Sequence, residues 1–265
     1  MKRLSLLIVA LLFLPLASAW AADLELPFKT PAGAFSWTGF YVGGNAGGAW
    51  GNEQVSQTFT APAPFLAVDT AAISSSASQT FRPGSATAGG QAGYNYQWGN
   101  WVVGGEVDFE YLGVRGFNSG NFPFPSTLPG GAAGQPTAFF YTATSVSADW
   151  LFTARPRIGW ATHEWLLYVT GGLAVGRESF SQTIAILAPF VETSSFTTTR
   201  AGWTAGGGVE YAIARNWSIR GEYLHVDLGT VNTARTLAPP FPGVTLTGSV
   251  RLTTEIARGG LNYRF

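Results

Sequence analysis

The chain of 265 residues carries 15 basic and 15 acidic residues, so its formal net charge is zero, and only 11% of its residues are charged. A protein surrounded by water normally has about 25% charged residues, which predicts that part of this surface faces something else, with lipid the obvious candidate. The lack of cysteine excludes disulfides, thiolate metal sites, a catalytic thiol and a lipid anchor on cysteine, and no block of basic residues suggests nucleic-acid binding.

The first residues have the three parts of a secretory signal peptide. A basic start is followed by an apolar stretch to about Ala17 and then by small residues. We predict cleavage between Ala21 and Ala22, so that residues 1–21 are removed on export. The alternative is a helical anchor, but the apolar run is shorter than the ~20 residues that a helix needs to cross a membrane.

The next segment, residues 22–36, contains Pro27, Pro31 and Gly33, which favour an irregular conformation. We predict that it is a periplasmic N-terminal segment. Two alternatives remain open for it: a flexible lead-in, or a plug inserted into the lumen of the domain that follows.

From residue 37 to residue 265, apolar and polar residues alternate with a period of two, which is typical of β-strands with two different faces. The clearest case lies between Trp101 and Tyr111, where Glu106, Asp108 and Glu110 oppose an apolar set. We predict eight strands, at about residues 37–50, 84–98, 101–111, 148–160, 165–177, 203–213, 217–223 and 258–265.

One residue fits poorly. Pro156 falls in the apolar set of the fourth strand, where it would remove one hydrogen bond from the ladder.

The predicted connections alternate in length, as they do in outer-membrane barrels. Short turns lie near residues 99–100, 162–164 and 214–216, and long segments rich in Ser, Thr, Pro, Ala and Gly occupy about 51–83, 116–144, 179–198 and 230–248. No later segment has 18 uninterrupted apolar residues, so a lipid-embedded chain needs a closed barrel. The predicted fold is therefore all-β: an eight-stranded antiparallel up-and-down transmembrane β-barrel over residues 37–265, with short periplasmic turns and four long extracellular loops.

Aromatic residues bracket the short turns and the C-terminus. A girdle at the membrane–water interface explains them, and the alternative is the aromatic core of a soluble sandwich. The predicted girdle comprises Trp98, Trp101, Trp160, Trp165, Tyr211, Trp217, Tyr263 and Phe265.

The polar faces of the strands predict a charged interior. Its members are Glu106, Asp108, Glu110, Asp149, Arg155, Arg157, Glu210, Arg220, Glu222, Arg258 and Arg264. The interior of an eight-stranded barrel is just wide enough to be filled by side chains, and buried charges are costly unless they are paired. We therefore expect a packed ion-pair network between the acids of the third strand and the arginines of the fourth, seventh and eighth strands. The alternatives are a narrow or gated polar path and, with least support, a paired-carboxylate catalytic site.

The chain has two histidines, His163 in a short turn and His225 near an outer loop. Neither lies in a spacing that predicts a catalytic base or a metal site. We expect no catalytic residue, no metal and no cofactor.

Several stretches resemble the small eight-stranded outer-membrane β-barrel family of alphaproteobacteria, porin-like surface proteins related to the OmpA transmembrane domain. The stretches are residues 37–48, 90–97, 167–174, 208–212, 222–229 and 260–265. The resemblance implies an abundant structural or surface-antigen protein of the envelope. The terminal Phe265 is similar to the signal that barrel assembly machinery reads.

These observations predict a protein of the bacterial outer membrane that supports envelope integrity and displays surface loops. Passive diffusion of small solutes and ligand binding by the loops, as in an adhesin, are the alternative functions. The expected partners are outer-membrane lipid and lipopolysaccharide, barrel assembly machinery during biogenesis, and a ligand of the external loops, but no nucleic acid.

Overall fold

The computed structural model describes residues 35–62, 65–125, 139–186, 191–236 and 243–265. The predicted signal peptide, its cleavage site and residues 22–34 of the predicted periplasmic segment lie outside the described residues. Within the described ranges, no helix is long and apolar enough to cross a membrane.

The described residues form strands and a single helix. The elements are β1 (Gly39–Thr60), α1 (Ala67–Ala77), β2 (Gln79–Phe81), β3 (Gly84–Trp98), β4 (Trp101–Pro123), β5 (Phe139–Thr162), β6 (Trp165–Ile186), β7 (Val191–Ala212), β8 (Trp217–Thr236) and β9 (Thr245–Arg264).

The strands form one antiparallel sheet that closes on itself. Its order is β2-β1-β3-β4-β5-β6-β7-β8-β9, and β9 also pairs with β1. The ring itself therefore has eight strands, while β2 pairs with β1 only from Glu53 to Val55. The predicted up-and-down barrel is confirmed, but the count of eight strands is one too low for the sheet. A strand of three residues is too short to show an alternation in sequence.

The short turns lie where the sequence predicts them, whereas the long loops are much shorter than predicted. Strands β1, β4, β5, β6, β7, β8 and β9 all continue into segments that were predicted as loops. In β1, for example, Val55 and Phe59 point into the barrel while Gln54, Ser56 and Thr58 point outward. The outer side of these strands is polar because it faces water, and their many serines and threonines resemble loop composition although threonine favours strands.

The proline of β5 interrupts pairing on one side only. The β5–β6 ladder passes from Ala154↔Leu173 to Arg157↔Thr170, so Pro156 has no backbone partner on β6 and its carbonyl accepts from Thr170 Oγ1 at 2.9 Å instead. On the other side, Pro156 pairs with Gly105 of β4. Proline has no backbone N–H to donate, and it lies at a point where the β5–β6 ladder is interrupted.

The outer surface has an apolar band between two aromatic belts. The periplasmic belt lies at the short turns and consists of the eight aromatics predicted as a girdle, in which Trp101 and Trp160 have ring centroids 4.9 Å apart. The outer belt comprises Trp50, Tyr111, Trp150, Trp203 and Tyr223. Exposed apolar residues such as Val107, Val169 and Ile219 lie between the belts, as a lipid-facing surface requires. We call the strand parts beyond the outer belt the extracellular extension.

The helix α1 closes a gap in this extension. Because β3 begins only at Gly84, the outer part of β1 lacks a β3 partner. Serines of α1 and its C-cap replace that partner: Ser74 Oγ accepts from the N–H of Phe59, and Ser78 Oγ accepts from the N–H of Gln57, both at 2.9 Å. Otherwise these groups would belong to an open sheet edge.

The lumen is filled in layers along the barrel axis. At the periplasmic end, Trp37 packs with Val102, Leu166 and Tyr168, forming what we call the periplasmic plug. A charged layer follows, and then the apolar layer, which contains Leu112, Val114, Leu151, Leu224, Val226 and Ile256. Within the extension, two further apolar clusters around Phe180 and Ile73 fill the interior.

Candidate functional site

The charged layer is the candidate site. It brings together nine of the eleven residues predicted as the interior network: Glu106, Asp108, Glu110, Arg155, Arg157, Glu210, Arg220, Glu222 and Arg258, all of them buried. Their strands are β4, β5, β7, β8 and β9, and in each strand the alternation of side chains points the charges inward.

Arg155 lies at the centre of the layer. Its Nη2 donates to Glu106 Oε1 at 2.7 Å and to Asp108 Oδ2 at 2.6 Å, and its Nη1 lies 3.3 Å from Glu222 Oε1. The Arg155 side chain is fully buried. One guanidinium on β5 therefore joins two acids of β4 to one acid of β8.

Arg258 and Arg220 complete the connections between distant strands. Arg258 Nη2 donates to Glu222 Oε2 at 2.6 Å and to Asp108 Oδ2 at 3.0 Å, and its Nη1 donates to Glu110. Arg220 Nη1 donates to Glu106 Oε2. The arginines of β5, β8 and β9 thus converge on the acids of β4.

Arg157 is held mainly by aromatic rings. Its guanidinium carbon lies 4.9 Å from the ring centroids of both Tyr41 and Tyr168, which places the cation between two π faces. Its Nε donates to Asn95 at 2.8 Å, while its closest approach to Glu210 is 3.4 Å.

Two glycines make room for these tyrosines. A Cβ at Gly93 would come within 2.4 Å of the Tyr41 ring, and one at Gly208 within 2.8 Å of the Tyr168 ring. The glycine-rich stretches of the sequence therefore serve packing in the lumen, since a side chain at either position would displace a ring that holds Arg157.

The five acids and four arginines of the layer leave a formal charge of −1. Neutral donors add to the arginines: Tyr41 donates to Glu106 at 2.7 Å, Thr87 to Glu110 at 2.6 Å, and Asn262 to Glu210 at 2.9 Å. Each carboxylate accepts at least two hydrogen bonds from protein groups. Pairing of this kind is what makes burial of charge tolerable.

Asp149 does not join the charged layer, so its prediction as an interior residue is wrong. The registers of β4 and β6 against β5 both shift at this point. Against β4 the extra residue lies on β4, between Tyr111 and Val114, and against β6 it is Asp149, between Ala148 and Trp150. Because a bulge inserts one residue, it reverses the inward and outward faces of β5. Counting in twos from Arg155 therefore gives the wrong face, and Asp149 is half-buried outside the network.

Arg264 also lies outside the charged layer, contrary to its prediction. Its guanidinium carbon lies 3.9 Å from the ring centroid of Phe35, and its Nη2 donates to the carbonyl of Arg215 at 3.0 Å. The aromatic residues just before β1 capture it at the periplasmic mouth. The alternation pattern predicted Trp37 at the start of a strand and gave no sign of this role, although a bulky apolar residue just before the first strand was the available signal.

Apolar residues close the charged layer from both sides. The periplasmic plug lies below it, where Trp37 is 1% exposed, and the apolar layer lies above it, where Val114, Leu151, Leu224 and Ile256 are 0% exposed. Across the residues that the structure describes, the charges therefore lie between two packed layers rather than along an open polar path.

The arrangement offers little for metal binding or for catalysis by histidine. In the described ranges, no group of three His, Asp or Glu side chains could hold a metal ion. His163 lies in the β5–β6 turn, and His225 lies at the outer belt, where its Nδ1 is 2.6 Å from Glu255 Oε1. Neither histidine contacts the charged layer.

Comparisons with known proteins extend over the whole chain. A family model described as "Outer membrane protein beta-barrel domain" matches residues 7–265. The 31 kDa outer-membrane immunogenic protein of Brucella melitensis is 36% identical, with all of both chains covered. The 22 kDa outer membrane protein of Rhizobium leguminosarum bv. viciae is 29% identical, with 77% of this chain and 68% of that protein covered.

A solved structure, that of Neisserial surface protein A, covers 86% of this chain and 98% of its own, with 14% identity and a TM-score of 0.37.

Proposed function

Given that this chain belongs to the outer membrane protein β-barrel domain family, we propose that it is a non-conducting structural protein of the bacterial outer membrane. In this role it supports the integrity of the envelope and holds a rigid extension above the membrane surface. We infer no enzymatic activity.

The position of the charged layer is the observation that carries this proposal. A channel needs a continuous polar path, whereas here Leu151 and Leu224 lie above the charges and Trp37 lies below them. Moving an ion through such a packed apolar layer would carry a large desolvation penalty. This packing favours a structural network over passive diffusion of solutes, which was the second function expected from sequence.

The extension supports the display part of the proposal. Strands that continue beyond the outer belt, with α1 hydrogen-bonded to β1, form a hydrogen-bonded surface from segments that were predicted as loops. Rigid scaffolds commonly position the loops through which proteins bind partners.

We expect the refolded protein to show no discrete openings in planar bilayers at either polarity. Single-channel recording with a known porin as positive control makes the measurement. A heat-induced mobility shift on gels should accompany it, to show that the barrel is folded. Stable openings whose size changes in Glu106→Gln or Arg220→Gln would mean that the charged layer conducts, and passive diffusion would replace the structural role.

We also expect deletion of the gene to make cells more sensitive to detergents and to large antibiotics, because a folded barrel contributes to the outer-membrane barrier. Growth with graded detergent measures this sensitivity. Restoration by the wild-type gene is the control, and barrier properties that stay unchanged in the deletion strain would count against envelope support.

A further inference from the structure

The outer face of β4, β5, β6 and β7 has an unusual composition directly beyond the outer belt. Three cross-strand rows follow one another outward from the membrane: Trp150–Arg177–Thr199, then Arg115–Ser147–Ser179–Thr197, then Phe117–Ser145–Ser181–Ser195. We call this surface the hydroxyl face. It combines two arginines and an array of serine and threonine hydroxyls with an aromatic residue at each end.

Both arginines of the hydroxyl face are exposed. Arg115 and Arg177 have no hydrogen bond or ion pair with any described residue. The contrast with the lumen is large, because each buried arginine of the charged layer has two or more polar partners. Two guanidiniums on one face with no internal partner leave a local positive charge available to an anion.

The hydroxyls around these arginines are held in place by the sheet. Ser147 and Ser179 face each other across β5 and β6, and Ser179 Oγ lies 3.0 Å from Thr197 Oγ1. Cross-strand neighbours on one face stand close enough to act on a shared ligand. A hydroxyl both donates and accepts hydrogen bonds, so this array suits the oxygens of a phosphorylated sugar.

The height of the hydroxyl face indicates where its ligand resides. Arg177 pairs directly with Trp150 of the outer belt, and Arg115 lies one row further out. Interfacial aromatics mark the level of the lipid headgroups. An anion at this height, on the outside of the barrel, belongs to a lipid of the outer leaflet rather than to a solute in the lumen.

We propose that the hydroxyl face binds the phosphorylated sugar headgroup of lipopolysaccharide, with Arg115 and Arg177 contacting phosphate and Ser147 and Ser179 contacting sugar or phosphate oxygens. Guanidinium groups bind phosphate through paired N–H donors. The inference rests on the outer-membrane placement used in the proposed function, and it adds the site and the side chains through which the expected lipid partner binds.

Asp149 makes the inference sharper. This half-buried carboxylate sits in the β5 bulge beside Trp150, next to the face, and has no ion pair with either arginine. A negative charge at this position opposes the binding of phosphate. Its removal should therefore change the affinity in the opposite direction from removal of an arginine.

The test measures binding of diphosphoryl lipid A and of its dephosphorylated form to the refolded protein in phosphatidylcholine nanodiscs. We expect R115Q/R177Q to bind diphosphoryl lipid A at least tenfold more weakly, and D149N to bind it severalfold more tightly. Neither variant should change the binding of the dephosphorylated lipid. R215Q, which removes an exposed arginine of the β7–β8 turn, is the matched control and should bind like the wild type.

The inference would be overturned if R215Q lost as much affinity for diphosphoryl lipid A as R115Q/R177Q does. It would also be overturned if the wild type bound the two lipids equally, or if R115Q/R177Q bound diphosphoryl lipid A like the wild type. If inorganic phosphate bound as tightly as diphosphoryl lipid A, the glycolipid would be ruled out as the ligand. Conductance measurements on the same preparations separate the two proposals. Discrete channel openings would contradict the structural function alone. A barrel that does not conduct and binds diphosphoryl and dephosphorylated lipid A equally would contradict this inference alone.

Discussion

Replacing Arg155 with alanine should lower the free energy of unfolding by about 3–5 kcal/mol, the usual result when one partner of a buried ion pair is removed. Arg155 contacts Glu106, Asp108 and Glu222 with a side chain that is fully buried. Without Arg155, each of these three carboxylates loses a hydrogen-bond donor in an interior that apolar layers close on both sides. Urea titration of the protein in detergent micelles, followed by tryptophan fluorescence, measures the change.

Two variants provide the scale for this effect. Arg157→Ala should cost less than Arg155→Ala, because the distances from Arg157 to Glu210 and Glu106 are 3.4 and 3.6 Å. Arg215→Ala, in an exposed turn, should change the free energy of unfolding by no more than about 0.5 kcal/mol. If Arg155→Ala were as stable as Arg215→Ala, the charged layer would not stabilise the barrel.

The stability of the extracellular extension should depend on pH through Glu53 and Glu178. These residues lie on β1 and β6, four strands apart in the ring, and both point into the extension above the apolar layer. Each has a buried Oε2 without a hydrogen-bond partner among the described residues. Burial raises the pKa of Glu53 to about 7. Burial also raises the pKa of Glu178 to about 8, an effect that Arg200 opposes and Glu53 reinforces.

A pKa that is higher in the folded state favours the folded protein at low pH. Below the unfolded value of 4.5, both states are protonated and the full stability is present. Between pH 4.5 and the folded values of about 7 and 8, the unfolded chain has ionised both carboxyls while the folded protein still holds their protons, so the free energy of unfolding should fall as the pH rises and level off above pH 8. The pKa of Glu53 rises from 4.5 to about 7 and that of Glu178 from 4.5 to about 8. At about 1.4 kcal/mol per pKa unit, the pair accounts for a loss on the order of 7 kcal/mol between pH 4.5 and pH 9.

Urea titrations at intervals between pH 4.5 and pH 9 measure this loss. The variant E53Q/E178Q replaces both carboxyls by neutral amides of similar shape and should show a much flatter profile, with higher stability than the wild type at pH 9. Glu164→Gln, in the exposed β5–β6 turn, is the matched control and should keep the wild-type slope. If the stability of E53Q/E178Q fell with pH as steeply as that of the wild type, Glu53 and Glu178 would not be the cause of the pH dependence.

Most of the charged layer was predictable because alternation alone decides which side of a strand a residue faces. Glu106, Asp108 and Glu110 are two residues apart, and the structure places all three in the lumen. Asp149 shows the limit of this rule, since one inserted residue reverses the two faces and a bulge leaves no mark on the composition of the strand. Arg264 follows the alternation, but Phe35 and Trp37 capture its side chain from outside the sheet.

The amino-acid sequence by itself determined the barrel architecture, nine of the eleven charges assigned to the interior and the aromatic belt at the short turns, because each follows from local periodicity and turn composition. Only the tertiary structure decided which charges meet: Glu106 and Arg220 are 114 residues apart, and Glu110 and Arg258 are 148 apart. It also decided the height at which each side chain enters the lumen, which depends on the register between strands. The stacking of charged and apolar layers, and therefore the closed interior, is a product of that register.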